Sequence, residues 1–264
     1  MLQEIAILII SGLGSGLLAG ILGIGGGAFL VPLLLTLNYP SLQAIATSSL
    51  AIVITSSSGT IQNWRMGYLN FRRVILLGIP AVITAQVGVI VANLIPEFVL
   101  LIAFGFLLII NIFLSNLRRH LATTSHQSSE KRLSEKFACL FTGAIGGFLA
   151  GLFGIGGGVI MVPLQMLLLQ EKIKVAVQTS LGVIVITSIS ACFGHALNNN
   201  VVWWAGIILG FGGLIGVQIS TRFLPKLSDQ VVRFSFYTML AILSIYTFWE
   251  ANQAWEIWKI NNEI

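Results

Sequence analysis

The chain has 264 residues, 56% of them hydrophobic and only 9% charged, with 28 glycines. A soluble domain carries about a quarter charged residues, so this composition excludes one; apolar runs of roughly 20 residues, the length that crosses a bilayer, follow one another instead. The formal net charge of +5 comes from 14 Lys and Arg against 9 Asp and Glu. These lie in short loops between apolar runs, where basic residues report topology rather than an affinity for nucleic acid.

In chain order, the N-terminus reads Met1-Leu2-Gln3-Glu4 and the first basic residue is Arg65. A cleavable signal needs a positive n-region, so the first apolar segment is expected to be retained. That segment, 5–37, is broken by glycines. Ordinary spans are expected over 44–62, 74–95 and 98–117. The polar stretch RRHLATTSHQSSEKRLSEK, 118–136, has the Ser, Thr, Lys and Arg content of a cytoplasmic linker. A second glycine-broken segment, 137–169, precedes spans at 175–196, 201–221 and 231–249. In the last stretch Ala251, Trp255, Trp258 and Ile260 stand at helical spacing, as in a short interfacial helix. The expected organisation is membrane repeat 1 over 1–117, linker over 118–136, membrane repeat 2 over 137–250 and an interfacial segment over 251–264.

The repeat is legible directly. GLLAGILGIGGGAFLVPL, Gly16 to Leu33, returns as GFLAGLFGIGGGVIMVPL, Gly147 to Leu164, with 12 of 18 positions identical. Thr47-Ser48 then match Thr179-Ser180, IVITSSS matches IVITSIS, and Gln86 matches Gln218.

Charge decides between two topologies. A broken segment of about 33 residues is too long for one crossing at 1.5 Å per residue. If each nevertheless crosses once, Lys172, Lys174, Arg222, Lys226 and Arg233 fall opposite the remaining basic residues. If each goes in and returns as two short helices, all 14 basic residues except Lys259 fall on one side. The positive-inside rule favours the second model. The fold expected is thus all-α and polytopic, with two inverted-topology repeats of about five helices each, the central loop cytoplasmic and both termini outside. Trp64 beside an inner loop, and Trp203, Trp204, Trp249, Trp255 and Trp258 at outer interfaces, agree with it.

Gly12, Gly16 and Gly20, and Gly143, Gly147 and Gly151, recur every four residues, a face that lets a neighbouring backbone approach. The clusters Gly25-Gly26-Gly27 and Gly156-Gly157-Gly158 should instead break the helix, each glycine costing up to about 1 kcal/mol relative to Ala. Pro32 and Pro163 are placed for the first turn of a new helix. A helix that begins inside a membrane turns unpaired N–H groups and a partial positive charge into a space poor in water, and so calls for an anion. Thr47, Ser48, Ser49, Thr179 and Ser180 could complete such a cradle, or bond the carbonyl one turn back. Gln86 and Gln218, mid-span, either bind substrate or fasten helices. Asn63 and His195 also match by the repeat; a lone buried His is more often a packing residue than a proton carrier.

No Asp or Glu lies deep in any span, so a carboxylate relay is unsupported. Paired carboxylates, HExxH and GxSxG are missing, and GSGLLA at 14–19 lacks the strand and acidic partner of a dinucleotide site. Cys139 and Cys192 read as packing residues. His195 with Cys192 has no orienting carboxylate, which leaves an intramembrane enzyme without a nucleophile and base.

With the twin GxGGG and VP motifs, the Thr-Ser pairs and the basic central loop, the chain resembles the sulfite exporter TauE/SafE family over nearly its whole length. The resemblance implies a plasma-membrane permease for small sulfur-containing anions, sulfite or sulfonates such as sulfoacetate. Its carry-over of site residues is limited to Gly25–Gly27, Gly156–Gly158 and the Thr-Ser positions. The expected partners are the anion, the bilayer and a coupling ion, H+ or Na+, with self-association into a homo-oligomer left open and no cofactor required. An anion channel and a non-transporting scaffold or sensor subunit are the alternatives.

Overall fold

A computed structural model describes residues 2–124 and 134–262, so 125–133 of the joining stretch and the last two residues lie outside the described residues. The described residues form helices only: α1 (Leu2–Leu22), α2 (Gly27–Thr36), α3 (Ser41–Arg65), α4 (Phe71–Leu94), α5 (Glu97–Thr124), α6 (Glu135–Phe153), α7 (Gly158–Leu168), α8 (Ile173–Leu197), α9 (Trp203–Phe223) and α10 (Asp229–Asn262). Eight are long and apolar enough to cross a membrane; α2 and α7 are the two shorter apolar helices. At 1.5 Å per residue, the 10 residues of α2 span about half of a 30 Å hydrocarbon layer. The chain is an all-α, multi-pass membrane protein.

Several boundaries differ from the sequence reading. The broken segments are not pairs of short helices, for α1 and α6 run 21 and 19 residues and only the returning arms are short. Pro32 and Pro163 fall at the sixth residue of α2 and α7, past the first turn, because each helix begins directly at its glycine cluster. Each proline there leaves a carbonyl one turn back, that of Ala28 or Val159, without its helical partner. Helix α5 continues through Thr124, and α10 runs unbroken through the segment read as a separate interfacial helix. Nothing between Glu250 and Ile260 interrupts a helix, so the polar turn there ends the apolar run without ending the helix.

Each repeat lends its first helix to the other. A Cβ at Gly12, Gly16 or Gly20 of α1 would collide with Leu209 O, Gly213 O or Ser220 Oγ of α9. Likewise, one at Gly143, Gly147 or Gly151 of α6 would collide with Leu77 O, Ala81 O or Ala85 O of α4. The partners advance along the chain in the same direction as the glycines, so both pairs run parallel with their backbones in contact. Between these pairs lie α3 and α8, the two most buried spans. Ala46, early in α3, shares a buried cluster with Cys192, late in α8, while a Cβ at Gly59 would meet Leu181 Cδ1 at 3.5 Å. The two central helices are therefore antiparallel.

The ends of the bundle can be told apart. Arg73, one turn into α4, forms ion pairs with Glu135 at the start of α6 (3.4 Å) and Glu171 after α7. Lys174 pairs with Asp229 at the start of α10 (3.8 Å). The start of α6 and the end of α7 thus share one end, rich in basic residues. Tyr39, after α2, has its hydroxyl pKa raised by burial and by the charge of Glu4 at the start of α1, so the α1–α2 arm also returns to where it began. Ala46 at the start of α3 clusters with Val201 beyond α8, and these lie at the opposite end from Lys174.

Candidate functional site

The glycine clusters position the site. Helix α1 ends where Gly23 takes φ +69° and donates its N–H to Ala19 O (2.8 Å); α6 ends likewise at Gly154, φ +65°, donating to Ala150 O (2.9 Å). Gly25, Gly26, Gly156 and Gly157 also have φ between +70° and +84°, the left-handed region that other L residues enter at a cost of roughly 1–2 kcal/mol. Gly26 and Gly157 cap α2 and α7, and no side chain caps either helix. Ser15 donates to Gly26 O (3.2 Å), which folds the break back against the middle of α1.

The two breaks meet. A Cβ at Gly27 would lie 2.6 Å from Gly154 O and 2.7 Å from Ile155 Cα, and one at Gly158 would strike Gly23 O and lie 2.8 Å from Ile24 Cα. Gly25 and Gly156 face the same two side chains, Ile52 of α3 and Ile184 of α8. Two helix N-termini, each with a partial positive charge and unpaired N–H groups, therefore converge between the two central helices, with Ile52 and Ile184 occupying the space beside them. Gly25, Gly26, Gly27, Gly156, Gly157 and Gly158 are brought together as the sequence suggested.

The polar residues divide. Ser48 reaches the break of the other repeat, its hydroxyl shared between Ile45 O (2.8 Å) and Gly154 O (2.9 Å). Thr187, which the motif reading did not single out, holds Gly156 O (2.9 Å). Thr47 accepts from Val202 N (3.0 Å) and so ties α3 to the start of α9. Ser49 bonds Ile45 O within its own helix (2.9 Å). Thr179 is buried in α8, and Ser180 Oγ accepts from Gln165 Nε2 (2.8 Å). Gln165 was missed; its signal is the broken repeat symmetry that puts a carboxamide where Leu34 stands. It is fully buried, with its Oε1 unpartnered.

Gln86 and Gln218 lie away from the breaks and make matched bonds. Gln86 Nε2 donates to Ser190 O (2.6 Å) and Oγ (2.8 Å), and Gln218 Nε2 to Ser58 O (3.2 Å) and Oγ (2.8 Å). They fasten α4 to α8 and α9 to α3. His195 is fully buried with Nε2 at 3.0 Å from Gly151 O, one turn before the second break. Its counterpart Asn63 is equally buried, and neither atom of its amide finds a partner.

A helical membrane protein of two intertwined repeats, with paired half-length helices starting inside the bundle, is the class this architecture defines. The chain belongs to the sulfite exporter TauE/SafE family, whose model matches residues 8–247. It is 28% identical to the probable membrane transporter protein YunE of Bacillus subtilis, over 88% of this chain and 94% of that one. It is 27% identical to the probable membrane transporter protein MJ0441 of Methanocaldococcus jannaschii, over 91% and 94%. A probable membrane transporter protein of Haemophilus influenzae is 39% identical over 100 residues, 35% of this chain and 38% of that one. No solved structure matches. Fold, family and relatives together identify a membrane transporter.

Proposed function

We propose that this transporter carries small oxyanions, sulfite or organosulfonates, across the plasma membrane by alternating access between two inverted repeats. The observation that carries the reading is the meeting of the α2 and α7 N-termini at Gly25–Gly27 and Gly156–Gly158. Helix N-termini bind anions through N–H groups and dipole, and discontinuous helices of this kind hold anionic substrates in other transporters. Ser48, Thr47, Thr179 and Ser180 supply hydroxyls on the helices that flank the breaks. Gln86 and Gln218 stay candidates only if helix movement frees them from Ser190 and Ser58.

The antiparallel α3 and α8 and the opposed starts of α1 and α6 support inversion, and the basic end, with Arg73, Lys174 and Arg222, is assigned to the cytoplasm. The central loop then lies inside and both termini outside. Ile52 and Ile184 fill the space between the breaks, which favours a carrier that must rearrange over an open anion channel.

The test is uptake of radiolabelled sulfite and sulfoacetate into sealed proteoliposomes, with and without a pH or sodium gradient. Saturable, gradient-dependent uptake with counter-flow exchange is expected and would name the coupling ion as H+ or Na+. Flux without counter-flow would make it a channel, and no flux of either anion would favour the scaffold or move the substrate outside this class.

A further inference from the structure

A bundle that obeyed its repeat would hold both breaks by matching bonds, and this one does not. Side chains of the two central helices tie down the second break and the turn before it. Ser48 of α3 donates to Gly154 O (2.9 Å), Thr187 of α8 donates to Gly156 O (2.9 Å), and His195 Nε2 lies 3.0 Å from Gly151 O. A carbonyl oxygen only accepts, so that imidazole nitrogen carries the proton. The repeat matches these three residues with Ser180, Thr55 and Asn63, and their acceptors with Gly23, Gly25 and Gly20. Among the described residues none of the matching bonds forms. The Ser180 hydroxyl accepts from Gln165 Nε2 (2.8 Å), Thr55 turns back to Ala51 O of its own helix (3.0 Å), and neither atom of the Asn63 amide has a partner. The side chain that does hold the first break, Ser15 through Gly26 O (3.2 Å), belongs to α1, the helix that carries the break.

The sequence accounts for two of the three differences. Gln165, which engages Ser180, stands where the first repeat has Leu34. Gly213 of α9 lets the Thr55 hydroxyl lie against its backbone, since a Cβ there would strike Thr55 Oγ1. At the matching position α4 has Ala81, with the methyl that Gly213 lacks.

The unequal bonds bear on the anion site. A peptide C=O and the N–H that follows it point opposite ways in one plane. Holding Gly156 O on α8 therefore turns the N–H of Gly157, the cap of α7, away from that helix and into the space between α3 and α8. The first break meets the central helices through contacts of Gly23 with Val177 and of Gly25 with Ile52 and Ile184. We propose that the two halves of the substrate site are inequivalent: the second break is the fixed half, with Thr187 as the residue that positions its peptide, and the first is the half that moves with α1 to admit and release the anion. This rests on the reading of the paired breaks as the substrate site.

The test has two readouts. Hydrogen–deuterium exchange of the full-length protein in detergent compares residues 23–30, GIGGGAFL, with 154–161, GIGGGVIM, whose similar sequences give similar intrinsic rates. Segments tied to the core open less often, so 154–161 should exchange more slowly than 23–30. Thr187→Val, which removes the hydroxyl at nearly equal size, should speed exchange at 154–161, and Thr55→Val should leave 23–30 unchanged. In proteoliposomes Thr187→Val should raise the KM for sulfite or sulfoacetate about threefold, the worth of an average interhelical hydrogen bond in a membrane, with the maximal rate held. Thr187→Ser, which keeps the hydroxyl, should restore the KM, and Thr55→Val should not change it. Equal exchange at the two breaks of the wild type, a comparison that needs no variant to fold, would overturn the inequivalence. An unchanged KM in Thr187→Val, or an equal rise in Thr55→Val, would overturn the positioning role while leaving the transport reading intact. No flux of either anion by the wild type would count against the substrate reading instead, and the exchange contrast would still decide between the two breaks.

Discussion

Gly25→Ala, like Gly156→Ala, isolates the site from the fold better than the other single changes at the breaks. Most glycines there face backbone, and a Cβ at Gly157 would collide with Gly146 O. At Gly25 the added carbon would meet only side chains, Ile184 Cγ2 and Ile52 Cγ2, each at 2.9 Å. The change imposes a left-handed alanine at φ +70°, about 1–2 kcal/mol, plus an overpacking cost of about 1–3 kcal/mol. Gly67 provides the control, having φ +76° and nothing within 4 Å of its Cβ position. Gly67→Ala therefore carries the backbone term alone. Both free cysteines, Cys139 and Cys192, are buried, so a thiol-reactive fluorogenic dye reports thermal unfolding without an added label. Gly25→Ala should lower the melting temperature more than Gly67→Ala, and only Gly25→Ala should abolish sulfite or sulfoacetate uptake. A folded Gly25→Ala protein that transports like wild type would refute the placement of substrate between the breaks.

Gly16→Leu and Gly147→Leu, each driven into the backbone of the opposite repeat, should both abolish the monodisperse folded species in size-exclusion chromatography; survival of either would contradict the parallel α1–α9 or α6–α4 contact. Gln86→Leu and Gln218→Leu should each cost about 0.6 to 2 kcal/mol, the measured range for interhelical bonds in membranes, with the substrate KM unchanged; a large rise in KM without loss of stability would make them substrate ligands. His195→Gln, able to keep a donor near Gly151 O, should retain gradient-driven transport, and loss of pH-gradient dependence alone would assign the imidazole to proton coupling. In a background without Cys139 and Cys192, cysteines replacing Lys174 and Asn199 should be labelled from the cytoplasmic and outer faces respectively, and the reverse would overturn the orientation.

The features legible in the sequence were those written in local pattern: the repeat, the glycine breaks, the apolar spans. The αL demand at Gly25, Gly26, Gly156 and Gly157 follows from adjacent glycines that cannot hold a helix. What pattern could not reveal was which surfaces meet. The four-residue spacing of Gly12, Gly16 and Gly20 announces a close helix contact and is silent on whether the partner is α9 or a helix of the same repeat. For the same reason a mid-span glutamine has no readable partner, and the bonds of Gln86 to Ser190 and of Gln218 to Ser58 emerge only from tertiary structure. Pro32 misled because Pro is favoured in a first turn, whereas α2 starts at the last glycine of its cluster and places the ring one turn further in.

The exchange of helices between repeats bears on how the two halves could move. If each repeat packed on itself, a rocking motion would separate them along one interface. Here α1 is locked to α9 and α6 to α4 by glycine backbone contacts, so a clean division between sequence repeats would tear two rows of close backbone packing. The looser joints are side-chain contacts: Ile52 and Ile184 against Gly25 and Gly156, and the aromatic contacts of α5 with α10, such as Phe106 with Phe248 at 5.4 Å. Interfaces built on side chains can repack by rotamer change, whereas backbone-on-backbone contact tolerates little sliding. A rigid pair drawn from both repeats, α1 with α9 or α6 with α4, is therefore the natural moving unit, and its movement would have to open the backbone contacts of Gly27 with Gly154 and of Gly158 with Gly23, where the two breaks meet.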